Sequence, residues 1–171
     1  QIADALDKAH RHGIVHRDLK PHNVMLGDFG EVMVIDWGLA TLVGDGTHDD
    51  DQRLVEVGAD ANLAATREGH LMGSPAYMAP EQANGQISLL DERTDIYGLG
   101  AILFAILAGL APHRSSQTGN SARDTKSLIR QIAEGPTPYA RNVDTCIPKP
   151  LAAICAKAMA PTIISAAKNV T

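Results

Sequence analysis

Asp18, Asn23 and Asp36 are the residues of this chain whose types and spacing could do chemistry together. Asn23 lies five positions beyond Asp18, and Asp36 thirteen beyond Asn23. The side-chain oxygens of Asn23 and Asp36 are hard donors of the kind Mg²⁺ takes. Asp18, an acid beside a metal-bound polyphosphate, could orient a hydroxyl and receive its proton, while Lys20 adds positive charge next to the transferring group. That is the equipment of phosphoryl transfer. Taken one at a time, each acid or amide is explained by local hydrogen bonding in a turn. The chemistry requires that they converge.

Convergence depends on the elements between them. Ile2, Ala5, Leu6 and Ala9 recur at helical spacing, and Gly13 stands where a left-handed cap would end that helix. The polar run from His16 to Asn23 contains Pro21 and reads as a loop. Val24 to Leu26 and Val32 to Ile35, separated by Gly27-Asp28-Phe29-Gly30, read as a β-hairpin. If its strands pair, its open end sets Asn23 beside Asp36, with Asp18 facing the same point. From Leu42 to Leu71 periodicity fades among many acids, and the stretch reads as a long acidic loop. Beyond Pro80 the chain is helical: a turn at Glu81 to Ala83, then helices at about 93–109, 122–134 and 150–159.

Composition narrows the class. A chain of 171 residues, 44% apolar, makes one soluble globular domain with enough material for a core. A net charge of -5 offers no field for nucleic acid or an anionic membrane. The 17 uncharged residues from Ile96 to Pro112 reach the lower limit of a membrane span, but three glycines, Pro112 and an acid just before them favour a buried core helix. Cys146 and Cys155 cannot staple a chain of this size and read as reduced thiols in a cytoplasm. His10, His12 and His16 lack acids or thiols at ligand spacing, so a zinc site is rejected and surface or packing roles are expected.

With those residues in view, the chain resembles the eukaryotic-like serine/threonine protein kinases. His16-Arg17-Asp18-Leu19-Lys20-Pro21-His22-Asn23 is similar to their catalytic loop and Asp36-Trp37-Gly38 to their metal-binding triplet. Gly73-Ser74-Pro75-Ala76-Tyr77-Met78-Ala79-Pro80-Glu81 is similar to the end of their activation segment, and Asp95-Ile96-Tyr97-Gly98-Leu99-Gly100 to the start of their central helix. Four motifs in the family's order are far more specific than any one alone, and the wording is most similar to bacterial members. The resemblance implies an α+β fold, the mostly helical carboxyl-terminal lobe of the kinase domain with a small hairpin at the active site and no amino-terminal lobe. It covers residues 1–160, with the activation segment at 36–81 and a divergent or truncated tail at 161–171.

The implied roles follow position by position. Asp18 is the expected base, Lys20 steadies the γ-phosphate of ATP, Asn23 and Asp36 hold Mg²⁺, and Met25 packs beneath the adenine. Ser74 bridges Asp18 and Lys20, and Asp95 accepts hydrogen bonds from the backbone around His16 and Arg17. Arg17 implies a pocket for a phosphorylated residue, with Thr66 the best-placed acceptor. Trp37 stands where Phe is usual and is expected to pack on His16, while Gly38 completes the triplet. Glu81 would pair with a late Arg in the family, yet the last one here is Arg141. A buried carboxylate left alone costs ~3–5 kcal/mol.

The implied function is transfer of the γ-phosphate of ATP to a protein Ser or Thr in signalling. No G-x-G-x-x-G occurs in the chain, and the expected lid, its strand Lys and the partner Glu have no counterparts, so the 171 residues alone are expected to be nearly inactive. The chain, opening on Gln1, reads as a piece of something longer. Two other functions stay open: a non-catalytic kinase-like binding module or remnant, and a small-molecule phosphotransferase.

Overall fold

A computed structural model describes residues 1–42, 75–114 and 122–161. Most of the expected acidic loop, with Thr66 and Ser74, lies outside the described residues, as does the tail from residue 162.

Helix α1 (Ile2–His10) opens the chain and buries Leu6, and the turn after it closes on Gly13 at φ 70°, a conformation glycine adopts without strain. Strand β1 (Ile14–Val15) follows, then the catalytic-loop segment with a 3₁₀ turn at Pro21–Asn23. Strands β2 (Val24–Leu26) and β3 (Val32–Val34) pair antiparallel, with Val24 opposite Val34. The short apolar stretch at 14–15 finds a partner that its sequence does not announce: β4 (Thr41–Leu42) pairs with it antiparallel, Val15 opposite Thr41. This brings the chain just beyond the Asp36 triplet back onto the strand that leads into His16. Among the described residues the β-structure is these two small sheets.

The rest is helical. A 3₁₀ turn at Pro75–Tyr77 leads into the short helix α2 (Pro80–Ala83). Helix α3 (Glu92–Ala108) starts on Asp91, whose side chain accepts from the Arg93 N–H, and stops at Gly109 in the left-handed region. Helices α4 (Ala122–Glu134) and α5 (Lys149–Ala158) complete the described set, and Lys149 with Pro150 open α5 as a first turn tolerates. No helix among the described residues is long and apolar enough to cross a membrane.

Helix α3 is apolar on several faces because it serves two cores at once. On one side Tyr97 and Phe104 pack with Ala140, Ile147, Ala152, Cys155 and Met159. On the other, Ile102 joins Leu6 and Leu19, with Val24, Val34 and Trp37 packed around them. Two glycines permit the close approaches this needs. A Cβ on Gly98 would sit 2.7 Å from the Leu19 Cβ, and one on Gly100 would sit 2.8 Å from the Ala158 Cβ. Glycine at 98 therefore lets the catalytic loop lie directly on the helix, and glycine at 100 does the same for α5. Both cysteines are free. Cys155 is buried beside the Gly100 carbonyl (3.4 Å), and burial pushes its thiol above the usual range.

Candidate active site

The site is assembled from behind, by Asp95 in the first turn of α3. Its side chain is 1% exposed, and its two oxygens take three hydrogen bonds. Oδ2 accepts from the His16 N–H (2.8 Å) and from His10 Nε2 (2.8 Å), and Oδ1 accepts from the Arg17 N–H (2.9 Å). Two successive backbone donors on one carboxylate fix the direction of the loop as it enters Asp18. Arg17 takes φ 69°, a strained value for a residue with a side chain, and its carbonyl accepts from Gln82 Nε2 at 2.7 Å. The Arg17 side chain is half-buried, and its buried Nε has no hydrogen-bond partner among the described residues. Burial lowers its pKa from the ordinary value, and the charge of Asp95 partly offsets that.

His16 is fully buried. Its Nδ1 accepts from the Asp18 N–H (3.2 Å), which places the ring proton on Nε2, the donor to the Ile35 carbonyl at 3.0 Å. The Trp37 ring lies 4.6 Å from the His16 ring at 58°, and its Nε1 donates to the Val34 carbonyl (3.1 Å). Histidine 16 thus ties the catalytic loop to the far strand of the hairpin.

Asp18 then lies among donors. Lys20 Nζ is 2.5 Å from its Oδ2, and the Asn23 side-chain nitrogen donates both to its carbonyl (2.8 Å) and to Oδ2 (3.2 Å). With its nitrogen spent on Asp18, Asn23 keeps its oxygen for another group. Asn23 also pairs across the hairpin, its carbonyl accepting from the Ile35 N–H at 2.9 Å. Asp36 leaves the strand one residue beyond that pair.

Asp36 is different in kind. It takes φ 62°, is exposed, and its carboxylate has no hydrogen-bond or ion-pair partner among the described residues. Its Oδ1 lies 3.3 Å from where a Cβ on Gly38 would be, so the triplet glycine leaves the space into which that oxygen turns. An unpartnered carboxylate in a constrained backbone, with an amide oxygen on the neighbouring strand, suits a hard divalent cation. No group of three or more His, Cys, Asp or Glu side chains that could hold a metal is found among the described residues. The donors offered here are one acid and one amide.

The remaining candidates fall in two places. Met25 faces out from the hairpin, 48% exposed, opposite Met33. Glu81 is buried in α2, and here the expectation of a lone buried acid is corrected. Its Oε1 accepts from the Thr94 hydroxyl at 3.0 Å, and Arg93 on the next helix lies close enough for its charge to be felt. The first turn of α3 brings both residues up to α2. Arg141 instead donates to the Ile147 carbonyl.

Four residues of the site carry no signal in the sequence. Of the three histidines expected on the surface or in packing, His12 is exposed and bonded to the Lys8 carbonyl, whereas His10 binds Asp95. Gln82 reaches the catalytic loop, Thr94 supports Glu81, and His113 partners Tyr97. The Tyr97 hydroxyl and His113 Nε2 share a hydrogen bond of 2.7 Å, and the His113 backbone N–H donates to the Ala76 carbonyl, so this buried pair buttresses the turn at 75–77. Burial, reinforced by Glu81, pushes the Tyr97 pKa up, and burial lowers His113 to about 4. Arg17, Asp18, Tyr77, Met78, Gln82 and Thr94 border a shallow surface depression.

Comparison with known proteins identifies the family. Residues 1–162 match the protein kinase domain family. The chain is 37% identical over 150 residues to the DNA damage-responsive serine/threonine-protein kinase RqkA of Deinococcus radiodurans, covering 88% of this chain and 19% of that protein. It is 35% identical over 159 residues to the probable serine/threonine-protein kinase PknB of Bifidobacterium longum, covering 93% of this chain and 20% of that one. With the serine/threonine-protein kinase pkn3 of Myxococcus xanthus it shares 39% identity over 153 residues, 86% of this chain and 24% of that protein. The chain therefore spans about a quarter or less of the length of these relatives. A loop hung from a buried acid, followed by an Asp-Trp-Gly triplet, belongs here to a member of the protein kinase domain family, of the bacterial serine/threonine type.

Proposed function

We propose that these residues form the catalytic-loop half of a serine/threonine protein kinase, which moves the γ-phosphate of ATP to a protein Ser or Thr hydroxyl. The observation that carries the reading is Asp18 itself, fixed by its own backbone and by Asn23, with Lys20 at hydrogen-bond distance from the same carboxylate. Asp18 orients the acceptor hydroxyl and takes its proton. Lys20 balances the charge of the transferring group. Asn23 and Asp36 are the groups that would hold Mg²⁺, which when bound neutralises phosphate charge. Asp95, His16 and Trp37 keep the loop and the triplet in register. A phosphate on Thr66 would be drawn to Arg17, whose buried Nε has no hydrogen-bond partner among the described residues.

In the protein that carries these residues, Asp18→Asn should lower phosphate transfer from MgATP to a Ser/Thr peptide by about 10²–10⁴-fold with the fold intact. Equal turnover by the two would end the reading. The 171 residues on their own should turn over negligibly, since no glycine-rich phosphate lid is among them.

A further inference from the structure

We propose that Gln82 is a positioning residue for the transfer reaction, holding the peptide unit between Arg17 and Asp18 and so coupling the turn at 75–77 and α2 to the catalytic base. The inference rests on the role given to Asp18 above.

Gln82 is the third residue of α2. Its Oε1 accepts from the Ala79 N–H at 3.1 Å, and its Nε2 donates to the Arg17 carbonyl at 2.7 Å, across 65 positions of sequence. Ala79 has no side-chain oxygen to return the first bond, so only half of a capping box is present. The two partners also fix which way the amide points. Reversed, it would set nitrogen against the Ala79 N–H and oxygen against the Arg17 oxygen, two repulsions in place of two bonds.

The carbonyl that Gln82 holds belongs to the same peptide plane as the Asp18 N–H. That plane is therefore pinned at both ends, its oxygen by Gln82 and its N–H by His16 Nδ1. The preceding plane is pinned by Asp95 through the Arg17 N–H. Between the two sits Arg17 at φ 69°, a conformation a non-glycine residue keeps only when its surroundings impose it. Release of the Arg17 carbonyl frees the second plane to turn, and the Asp18 side chain turns with it. Because Ala79 and Gln82 follow directly on the 75–77 turn, displacement of that segment is transmitted to the base through one side-chain amide.

The experiment separates this role from simple capping. In the protein carrying these residues, wild type, Asp18→Asn, Gln82→Glu and Gln82→Met are assayed with MgATP and a Ser/Thr peptide, and their melting temperatures are measured. Glutamate keeps the acceptor for Ala79 and is equally suited to that helix position, but it sets a carboxylate oxygen against the Arg17 carbonyl. The expected result is a Gln82→Glu protein that stays folded, melting somewhat below wild type, while its kcat falls by up to about a hundredfold at a temperature where both are folded, its KM for ATP changing much less. Wild-type kcat in Gln82→Glu overturns the proposal and leaves Gln82 a cap. If Gln82→Glu does not fold, the question passes to Gln82→Met: turnover at the wild-type rate overturns the proposal, and a slowed kcat with ATP KM held supports it. Failure of the kinase reading is told apart by the controls, since wild type would then transfer no more phosphate than Asp18→Asn.

Discussion

Asp18 and Asp36, eighteen positions apart, are held in opposite ways. Asp18 is 9% exposed, its carbonyl and carboxylate take bonds from Asn23 and Lys20, and its N–H is bound to His16. Behind it stands Asp95, at 1% exposure. Asp36 is exposed, its backbone is constrained, and its carboxylate meets no donor among the described residues. The contrast separates two demands on an active site. On the proposed reading, a base must already point the right way when the hydroxyl arrives, and Asp18 is given its partners by the fold. On the same reading, a metal ligand must keep its lone pairs for the ion, which fits an Asp36 whose backbone is fixed and whose oxygens meet no donor among the described residues. The frame around Asp18 should therefore be coupled to stability, and Asp36 should not.

The sharpest way to break this contrast is at Asp95. Asp95→Ala leaves two buried backbone N–H groups without an acceptor and strands His10, at a cost of roughly 2–6 kcal/mol of stability. Urea unfolding of the variant measures it, and phosphate transfer should be lost with it. A variant as stable as wild type would mean the loop holds its shape without the acid.

The second effect concerns the buttress under the 75–77 turn, and its sign follows from His113. Unfolded, this side chain takes up a proton near its ordinary 6.5, whereas in the fold it resists protonation down to about 4. The unfolded state thus binds the extra proton first. The stability is fully present above pH 6.5, declines as pH falls, and levels off near pH 4, a loss of at most roughly 3 kcal/mol. The double variant Tyr97→Phe/His113→Phe keeps an aromatic ring at each position and removes the hydroxyl and both imidazole nitrogens. Its urea stability should lack this component between pH 7 and 4.5, so the gap to wild type should change with pH. A constant gap would remove the pair from the account.

Next is Gly98→Ala. Alanine is the better helix former by about 1 kcal/mol, so stabilisation is the outcome if space exists. The Leu19 Cβ, 2.7 Å from the new atom, makes destabilisation by roughly 1–3 kcal/mol the expected one. The melting temperature decides the sign. Because Leu19 adjoins Asp18, turnover should fall as well.

The same contrast marks how much the sequence revealed. The helices at 2–10, 92–108, 122–134 and 149–158 and the 24–34 hairpin were legible because periodicity, Pro, Gly and turn residues are local signals. The pairing of Ile14–Val15 with Thr41–Leu42 was not, since two residues per strand carry no period. Asp18, Asn23 and Asp36 stood out through their order along the chain. His10, Gln82 and Thr94 did not, because each acts through a single hydrogen bond to a residue 13 to 85 positions away, and nothing local marks such a bond.

The smallest expected effect on stability is the one that most directly tests the other half of the contrast. Asp36→Asn removes a charge that touches no donor among the described residues, and Asn tolerates the left-handed backbone at φ 62° as readily as Asp. Its unfolding free energy should stay within about 0.5 kcal/mol of wild type. Binding is where the change belongs. In the protein that carries these residues, Mg²⁺ with ATP should raise the melting temperature of wild type, and Asp36→Asn should lose most of the Mg²⁺-dependent part of that rise. Should Asp36→Asn instead cost stability on the scale of Asp95→Ala, Asp36 would belong to the frame, and the division between a fixed base and an open ligand would not describe this site.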